Sequence, residues 1–355
     1  MGVRHLPNLL GDRLEQLPIL ILYLTDGCNS RCITCDIWRN PRLNMRRELV
    51  EHLADEVKHL GVRWVVLSGG EAMQHPHWPA IAARFRELGV RTILLTNGLL
   101  LRRQAADVIE HIDEVVVSLD AATAANYEAI RGVDGFDLLL DGIRAVRAGA
   151  VPVTTRTTLQ RTNYAEMPQI IDVAKSAGVN TISFLTVDVS NPYAFGDRLI
   201  ATIGLGAPPS HGPPAAALTR DDIARFADLL DQIERDYADD FASGRIAESP
   251  AKLRRMILYF RAVLDGEGFP PARCNAPHLS TVVQVDGTLR PCYFLPVMAR
   301  TGGDNTGLDE RVPLQEAINV PEALALRRAY RNGARPECAS CVCPLYKGPR
   351  ALLRL

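Results

Sequence analysis

Residues 19–38 read ILILYLTDGCNSRCITCDIW, an apolar run followed at once by three cysteines. Cys28, Cys32 and Cys35 have the spacing Cys-x3-Cys-x2-Cys. Three thiolates on one short loop can hold three irons of a [4Fe-4S] cube and leave the fourth iron open to a further ligand. Buried structural cysteines, or half of a zinc site, are the alternatives. Zinc is disfavoured because it prefers four ligands in paired knuckles, and no such partner lies nearby in the sequence.

Helical and strand patterns alternate after this loop. Between residues 47 and 60, apolar side chains recur with the spacing of one helix face. We predict further helices near 79–88, 103–111, 137–148 and 164–177, and strands near 19–24, 64–67, 92–95, 115–117, 153–159 and 181–187. Six strands alternating with helices predict a parallel sheet, because right-handed crossovers connect such strands. The predicted fold class is α/β, a partial (β/α)6 TIM-like barrel over residues 1–190.

Polar motifs follow three of these strands at the point where each strand ends. They are Ser68-Gly69-Gly70-Glu71, Thr96-Asn97-Gly98 and Ser118-Leu119-Asp120. In a β/α barrel the chemistry lies at the carboxyl ends of the strands. We therefore expect the three motifs to share one site with the cysteine loop.

The cysteine spacing and these motifs resemble the radical S-adenosylmethionine (radical SAM) superfamily, over roughly residues 18–190. The resemblance implies that the open iron binds the amino and carboxylate groups of the methionine moiety. An electron from the cluster then splits the sulfonium, and the resulting 5'-deoxyadenosyl radical abstracts hydrogen from the substrate. It also implies a [4Fe-4S] cluster and S-adenosyl-L-methionine as cofactors, and a reducing flavodoxin or ferredoxin as partner.

Two of the motifs resemble the family's S-adenosylmethionine site. Gly69, Gly70 and Glu71 resemble the GGE motif, in which backbone and carboxylate bind the methionine ammonium. Glycine permits close approach of the backbone, and a carboxylate matches an ammonium. A glycine pair at a strand end is on its own only a turn signal. Ser118 and Asp120 resemble the positions on the fourth strand that approach the ribose hydroxyls.

Three further residues are candidates for the same site. Arg156, on the fifth predicted strand, is a candidate for the methionine carboxylate, since a guanidinium pairs with a carboxylate bidentately. A salt-bridged structural arginine is the alternative. Thr34 stands before the third cysteine, where the family often has an aromatic residue. Its backbone can still contact adenine, while Trp38 is a candidate for the missing ring.

The C-terminal region, residues 266–355, contains a predicted hairpin and further cysteines. Asp-Gly at 286–287 separates two apolar runs, which is a hairpin signature, and the second predicted strand bears Cys292. This arrangement resembles the twitch domain, a shortened SPASM extension of a β-hairpin plus helix that binds one auxiliary [4Fe-4S] cluster. By this resemblance the metal ligands are Cys274, Cys292, Cys338 and Cys341. A zinc site made by four cysteines is the alternative.

Cys343 is left without an assigned role. If the four other C-terminal cysteines all bind iron, no iron of the auxiliary cluster is open, and the cluster is best suited to moving electrons. It can then accept the electron left on a substrate radical, which makes the net reaction an oxidation. Cys343 either replaces Cys341 as a ligand, packs inertly, or donates a hydrogen atom as an epimerase thiol would.

Residues 191–265 are predicted to form a lid-like loop and a helical linker. The loop, at 190–218, is rich in glycine and proline, and loops of this length in compact domains are often lids. Its possible substrate contacts are Tyr193, Phe195, Asp197, Arg198 and His211. Helices are predicted near 219–240, opened by a capping-like Thr219, and near 250–264.

Composition limits the remaining possibilities. The chain has 355 residues, 47% of them hydrophobic, and can bury more than one barrel requires. A net charge of -1 without a basic block argues against nucleic acid as a partner. No apolar run reaches the length of a membrane span, so we expect no membrane partner and a cytoplasmic location. Because the cytosol keeps thiols reduced, the eight cysteines are better explained as metal ligands than as disulfides.

Three functions are compatible with these residues. The favoured one is radical oxidation, or a related rearrangement, of a small molecule such as a sugar, aminocyclitol or nucleoside in natural-product biosynthesis. Only about 18 residues precede the first predicted strand, which disfavours a leader-binding domain of a peptide-modifying enzyme. Peptide modification, epimerisation or decarboxylation is the second hypothesis. A non-enzymatic iron-sulfur or zinc protein is the third, disfavoured because it leaves the strand-end motifs unexplained. The sequence assigns no catalytic residue or general base.

Overall fold

The computed structural model describes residues 6–191, 193, 213–302 and 312–345. Of the predicted lid contacts, Tyr193 belongs to this part of the chain, and its carbonyl accepts a hydrogen bond from Arg290 (3.2 Å). The other four, Phe195, Asp197, Arg198 and His211, lie outside the described residues.

One sheet contains all the strands of the described residues. They are β1 (Ile19–Thr25), β2 (Trp64–Gly69), β3 (Arg91–Thr96), β4 (Glu114–Ser118), β5 (Val153–Leu159), β6 (Thr181–Thr186), β7 (Ser280–Val283), β8 (Thr288–Arg290) and β9 (Ala299–Arg300). Their order is β6-β5-β4-β3-β2-β1-β7-β8-β9. The first six strands are parallel and lie side by side in sequence order. This confirms the predicted α/β class with a barrel-type parallel sheet.

Helices connect the parallel strands. In the barrel and before it they are α1 (Leu6–Leu10), α2 (Arg47–Leu60), α3 (Trp78–Glu87), α4 (Ala105–His111), α5 (Ala124–Arg131), α6 (Phe136–Ala148) and α7 (Met167–Ser176). Helix α2 has the predicted bounds, and α5 was not predicted. It is a two-turn helix capped by Thr123, whose hydroxyl accepts from the Asn126 N–H, and it ends at Gly132 in the left-handed conformation. Eight residues give little periodicity to detect.

The two faces of the sheet differ in character. Alternate residues of β1, Leu20, Leu22 and Leu24, are fully buried in the large core between sheet and helices. The intervening residues of β1 face the inner side of the sheet, where Ile21 and Tyr23 form a second, smaller buried cluster. Strand β1 is thus buried on both faces, because it lies in the interior of the sheet. The cysteine loop leaves directly from its carboxyl end.

The C-terminal hairpin extends the barrel sheet. Strand β7 runs parallel to β1, and Ile19 is opposite Ser280. Strands β7 and β8 form the predicted antiparallel hairpin around the turn at 286–287. Strand β8 ends at Arg290, so Cys292 lies just beyond the second strand and not on it. The prediction was wrong at this point, because the chain turns away at Pro291 after only three paired residues.

The segments between the barrel and the hairpin, and those after it, are helical. They are α8 (Arg220–Asp236), α9 (Ala238–Ala242), α10 (Pro250–Asp265), α11 (Leu314–Ala317), α12 (Pro321–Arg331) and α13 (Pro336–Ala339). The first predicted linker helix is divided at Tyr237 into α8 and α9. A capping box between Thr219 and Asp222 opens α8, as its sequence indicated. No helix in the described ranges is both long and apolar enough to cross a membrane.

Candidate active site

The glycine pair at the end of β2, Gly69 and Gly70, lies against the chain that leads into the cysteine loop. The N–H of Gly70 donates to the Thr25 carbonyl, and the N–H of Glu71 donates to the Gly27 carbonyl, both at 2.8 Å. A Cβ on Gly69 would stand 2.4 Å from the Thr25 oxygen, and one on Gly70 would stand 2.3 Å from the Gly27 oxygen. Gly69 also has a φ of +119°, which side chains rarely adopt. Both positions therefore require glycine for the two loops to meet.

Glu71 is buried beneath this contact, with 1% of its surface exposed. One carboxylate oxygen accepts from the Thr96 hydroxyl (2.8 Å) and the Met73 N–H (3.1 Å), and the other from the Asn97 N–H (2.7 Å). Burial raises the pKa of Glu71, and these donors oppose that effect. The carboxylate thus joins the loops that follow β2 and β3. Its contact with a methionine ammonium stays a prediction.

Asn97 continues this connection to the cysteine loop. Its side-chain amide donates to Asn29 (2.7 Å) and Ser30 (3.2 Å), and lies 3.8 Å from the sulfur of Cys28. Asn97 is 6% exposed. Sequence reasoning noted the Thr-Asn-Gly strand end but gave Asn97 no role. The available signal was its position, since polar residues at the ends of neighbouring parallel strands meet at one edge.

The three thiols of the cysteine loop are half-buried and close enough to influence one another. Burial and, to a smaller extent, the neighbouring thiols of Cys32 and Cys28 raise the pKa of Cys35 to about 12. A bound metal stabilises such thiolates, because the ligand form of cysteine is deprotonated. Within the described ranges, no three His, Cys, Asp or Glu side chains could hold a single metal ion. The donor set, three thiolates spaced Cys-x3-Cys-x2-Cys, suits a [4Fe-4S] cluster, in which each thiolate binds a different iron.

Asp120 is linked to the cysteine loop by Arg131, which was not among the predicted site residues. One carboxylate oxygen of Asp120 pairs with Arg131 at 2.5 Å, and the other accepts from the Thr158 N–H at 2.7 Å. Arg131 in turn places a guanidinium nitrogen 3.5 Å from the sulfur of Cys32. Ser118 is half-buried two residues before Asp120, at the end of β4. Their contacts with ribose stay predictions.

Arg156 lies on the inner face of the sheet, opposite Ser118 of the neighbouring strand. Its side chain is exposed, and no ion pair involves it within the described part of the chain. This observation does not support the alternative of a salt-bridged structural arginine. Arg156 also lines the cavity formed by the C-terminal cysteines. An unpaired guanidinium at this place suits an anionic group, and the predicted methionine carboxylate is one.

The two candidates for adenine recognition both belong to the cysteine loop. Thr34 is half-buried in the turn before Cys35. The indole N–H of Trp38 donates to the Cys35 carbonyl at 2.8 Å, and the Arg39 guanidinium lies 5.0 Å from the centroid of its ring. The Trp38 ring is therefore fixed beside the loop. Adenine contacts of either residue stay predictions.

The five C-terminal cysteines line a single cavity of about 170 Å³. They are Cys274, Cys292, Cys338, Cys341 and Cys343, and Ile21 and Arg156 of the barrel face the same cavity. Burial and, to a smaller extent, three neighbouring thiols raise the pKa of Cys292 to about 12. The Ala276 N–H donates to the sulfur of Cys274 at 3.4 Å. The auxiliary cluster stays a prediction, and the structure does not separate Cys343 from the four predicted ligands, since all five thiols line the cavity.

The buried Tyr23 and the half-buried Tyr293 lie between the two cysteine regions. The rings of Tyr23, on β1, and Tyr293, next to Cys292, have centroids 6.0 Å apart. Burial, above all, raises the pKa of both phenols well above the usual value. Sequence reasoning missed this contact, since it depends on how the hairpin joins the sheet.

Comparison with known proteins agrees with this geometry. The model of the Radical SAM superfamily matches residues 22–174. An AdoMet-dependent heme synthase of Methanosarcina barkeri is 32% identical over 172 residues, which cover 46% of this chain and 49% of that protein. A probable GTP 3',8-cyclase of Saccharolobus islandicus is 32% identical over 180 residues, which cover 49% and 58%. The chain thus spans about half the length of the curated relatives it matches.

Solved structures show the same fold. SuiB of Streptococcus suis, bound to S-adenosylmethionine, has a TM-score of 0.61 at 13% identity, covering 96% of this chain and 75% of that one. Native anSMEcpe with bound AdoMet and the Cp18Cys peptide has a TM-score of 0.60 at 17% identity, covering 87% and 81%. At such identities the likeness concerns the fold alone. The family implies a [4Fe-4S] cluster and S-adenosylmethionine, and the cysteine spacing, the parallel sheet and the family model coincide. Residues 22–174 of this chain are therefore a radical SAM domain.

Proposed function

We propose that this protein is a two-cluster radical SAM enzyme that oxidises a small polar molecule in natural-product biosynthesis. The observation that carries the proposal is the cavity in which the C-terminal thiols meet Arg156 of the barrel's inner face. A redox centre held there would adjoin the strand ends at which barrel chemistry takes place. In this proposal the radical SAM barrel comprises residues 1–190, the lid-like loop and helical linker 191–265, and the twitch domain 266–355.

The residues divide between two cofactor sites. Cys28, Cys32 and Cys35 would hold the catalytic cluster, and four of the C-terminal cysteines the auxiliary one. When bound, the first cluster and S-adenosylmethionine supply a 5'-deoxyadenosyl radical, and the auxiliary cluster supplies an acceptor for one electron. In the proposed oxidation, a carbinol carbon would give a hydrogen atom to the 5'-deoxyadenosyl radical, which would leave as 5'-deoxyadenosine. The substrate then loses a proton to a base and an electron to the acceptor, and a carbonyl forms.

A second cavity supports a polar substrate. It has a volume of about 180 Å³ and lies between the end of β6, helix α10 and the C-terminal cysteine loop. Its lining includes Arg156, Glu248, Lys252, Arg255 and Cys343. Charged side chains of both signs suit a molecule with several hydroxyl or amino groups, such as a sugar, an aminocyclitol or a nucleoside.

Peptide modification is a second candidate. The observation that favours it is that anSMEcpe, a structural neighbour, was solved with a peptide bound. This likeness concerns the fold and carries less weight than the charged side chains of the second cavity. We further propose a flavodoxin or ferredoxin as the reductant. Since all eight cysteines are free thiols, we also propose a cytoplasmic location.

Substrate-dependent formation of 5'-deoxyadenosine tests the proposal. Reduced, anaerobically reconstituted protein is incubated with S-adenosylmethionine and separate panels of sugars, aminocyclitols, nucleosides and peptides. We expect a small-molecule panel to stimulate release, with a product two hydrogens lighter than the substrate. Stimulation by peptides alone would establish the second candidate. A product of unchanged mass would exclude oxidation. The variant with Cys28, Cys32 and Cys35 all changed to Ala is the negative control, in which S-adenosylmethionine should not be cleaved.

A further inference from the structure

We propose that Arg131 is a positioning residue that raises the reduction potential of the cluster held by the three-cysteine loop. The proposal concerns the radical SAM domain and depends on neither the substrate nor the auxiliary cluster. Arg131 is the last residue of α5, the helix that the sequence did not reveal. Its guanidinium donates to the sulfur of Cys32 at 3.5 Å. This is a contact between a cation and a metal-binding thiol.

The backbone fixes the place of this arginine. The N–H groups of Arg31 and Ile33, on either side of Cys32, donate to the carbonyls of Arg131 (2.8 Å) and Ile130 (3.0 Å). Helix α5 therefore ends against the cysteine loop itself. Gly132 completes the contact, because a Cβ there would stand 2.6 Å from the Arg31 carbonyl oxygen. These contacts hold the backbone of Arg131 beside Cys32, and the ion pair with Asp120 holds its guanidinium.

The guanidinium of Arg131 is largely shielded from solvent. Its side chain is 11% exposed, and that of its partner Asp120 is 6% exposed. Asp120 is itself fixed by the Thr158 N–H. The side-chain amide of Asn97 is a neutral donor to the same loop and lies at the longer distance of 3.8 Å from the sulfur of Cys28. Cys32 thus receives the shorter hydrogen bond, and its donor is a cation.

The sign of the effect follows from electrostatics. Reduction adds one negative charge to the cluster, and net charge and hydrogen bonds to the sulfurs set the potential of such clusters. A cationic donor stabilises the reduced form more than the oxidised form, so it makes the potential less negative. Asp120 works against this effect, since its carboxylate lies beyond the guanidinium. Removing Arg131 and removing the charge of Asp120 should therefore shift the potential in opposite directions.

A redox titration monitored by electron paramagnetic resonance tests the proposal on the reconstituted full chain. The signal of the three-cysteine cluster is identified as the part that changes when S-adenosylmethionine is added. We expect Arg131→Met to lower the ratio of reduced to oxidised cluster at a fixed potential at least tenfold, which is 59 mV for one electron. Arg131→Lys keeps the positive charge, so it should lower this ratio less than Arg131→Met does. Asp120→Asn should raise the ratio.

Arg102→Met is the matched control, because Arg102 pairs with Asp141 on the surface with 61% of its side chain exposed. It should titrate like the unaltered protein. An unchanged potential in Arg131→Met at normal iron content would overturn the proposal. If Arg131→Met fails to hold iron, Asp120→Asn and Arg131→Lys decide the question. If the reduction potential shifts in the same direction in both variants, or in neither, the role of Arg131 is structural only.

Discussion

The glycine pair at the end of β2 offers a direct test of how the site is built. Gly70→Ala would place a methyl group 2.3 Å from the carbonyl oxygen of Gly27, whereas ordinary contacts begin at 3.4 Å. Backbone must therefore move by about 1 Å, and the residue that moves is next to Cys28. Overpacking of this kind costs roughly 1–3 kcal/mol. Loss of the hydrogen bond from Glu71 to Gly27 adds about 1 kcal/mol. We expect a total near 2–4 kcal/mol, concentrated at the cysteine loop.

Gly268→Ala is the matched control, because a Cβ at Gly268 meets nothing within 4 Å and its φ is not in the left-handed region. Iron and acid-labile sulfide per chain, together with the thermal midpoint of the anaerobic protein, are the measurements. Gly70→Ala should lose the iron of the three-cysteine cluster and melt at a lower temperature than Gly268→Ala. Equal iron content and equal midpoints in the two variants would refute the reasoning.

Three further outcomes are expected. Reconstituted protein should contain about eight irons and eight sulfides. Joint replacement of Cys28, Cys32 and Cys35 by Ala should leave about four irons and four sulfides and abolish S-adenosylmethionine cleavage. Zinc in place of the remaining iron would contradict the twitch assignment. Glu71→Gln should weaken S-adenosylmethionine binding by about 1–3 kcal/mol in anaerobic calorimetry with cluster content unchanged; unaltered affinity would remove Glu71 from the binding site. Oxidation in deuterium oxide should leave no deuterium at the reacting carbon, and Cys343→Ala should still turn over if Cys343 is not a cluster ligand. One solvent deuterium at that carbon, in a product that is otherwise an isomer of the substrate, would make epimerisation the reaction.

The parts of the fold that local pattern determines could be predicted from the sequence. The alternation of strands and helices and the hairpin turn at Asp286-Gly287 each depend on residues within a short window. Three features of the site depend on distant pairings and could not be predicted. They are the hydrogen bonds of Asn97, the contact of Arg131 with Cys32, and the addition of β7 to β1. The same limit applies to the hydrogen bonds of Glu71, because two of its donors, Thr96 and Asn97, lie at the end of β3.

Asp120 shows how a motif can be placed correctly while its contacts differ from those expected. Its position at the end of β4, beside the cysteine loop, agrees with the prediction. Its carboxylate is turned to Arg131, a residue on a helix too short to be recognised from its periodicity. A sequence motif gives the place of a side chain more reliably than its partner, because the partner is set by tertiary packing.

The pairing of Ile19 with Ser280 has a consequence for synthesis and folding. Strand β1 leaves the ribosome well before β7, so one of its edges stays unpaired until the hairpin has been made. Until then an edge of Ile, Leu and Tyr residues is open to pairing with other chains, which is a known route to aggregation. Such distant pairing also slows folding. A barrel cut before the hairpin would keep this open edge permanently. Work on either cluster alone is therefore better done by cysteine replacement in the full chain than by truncation.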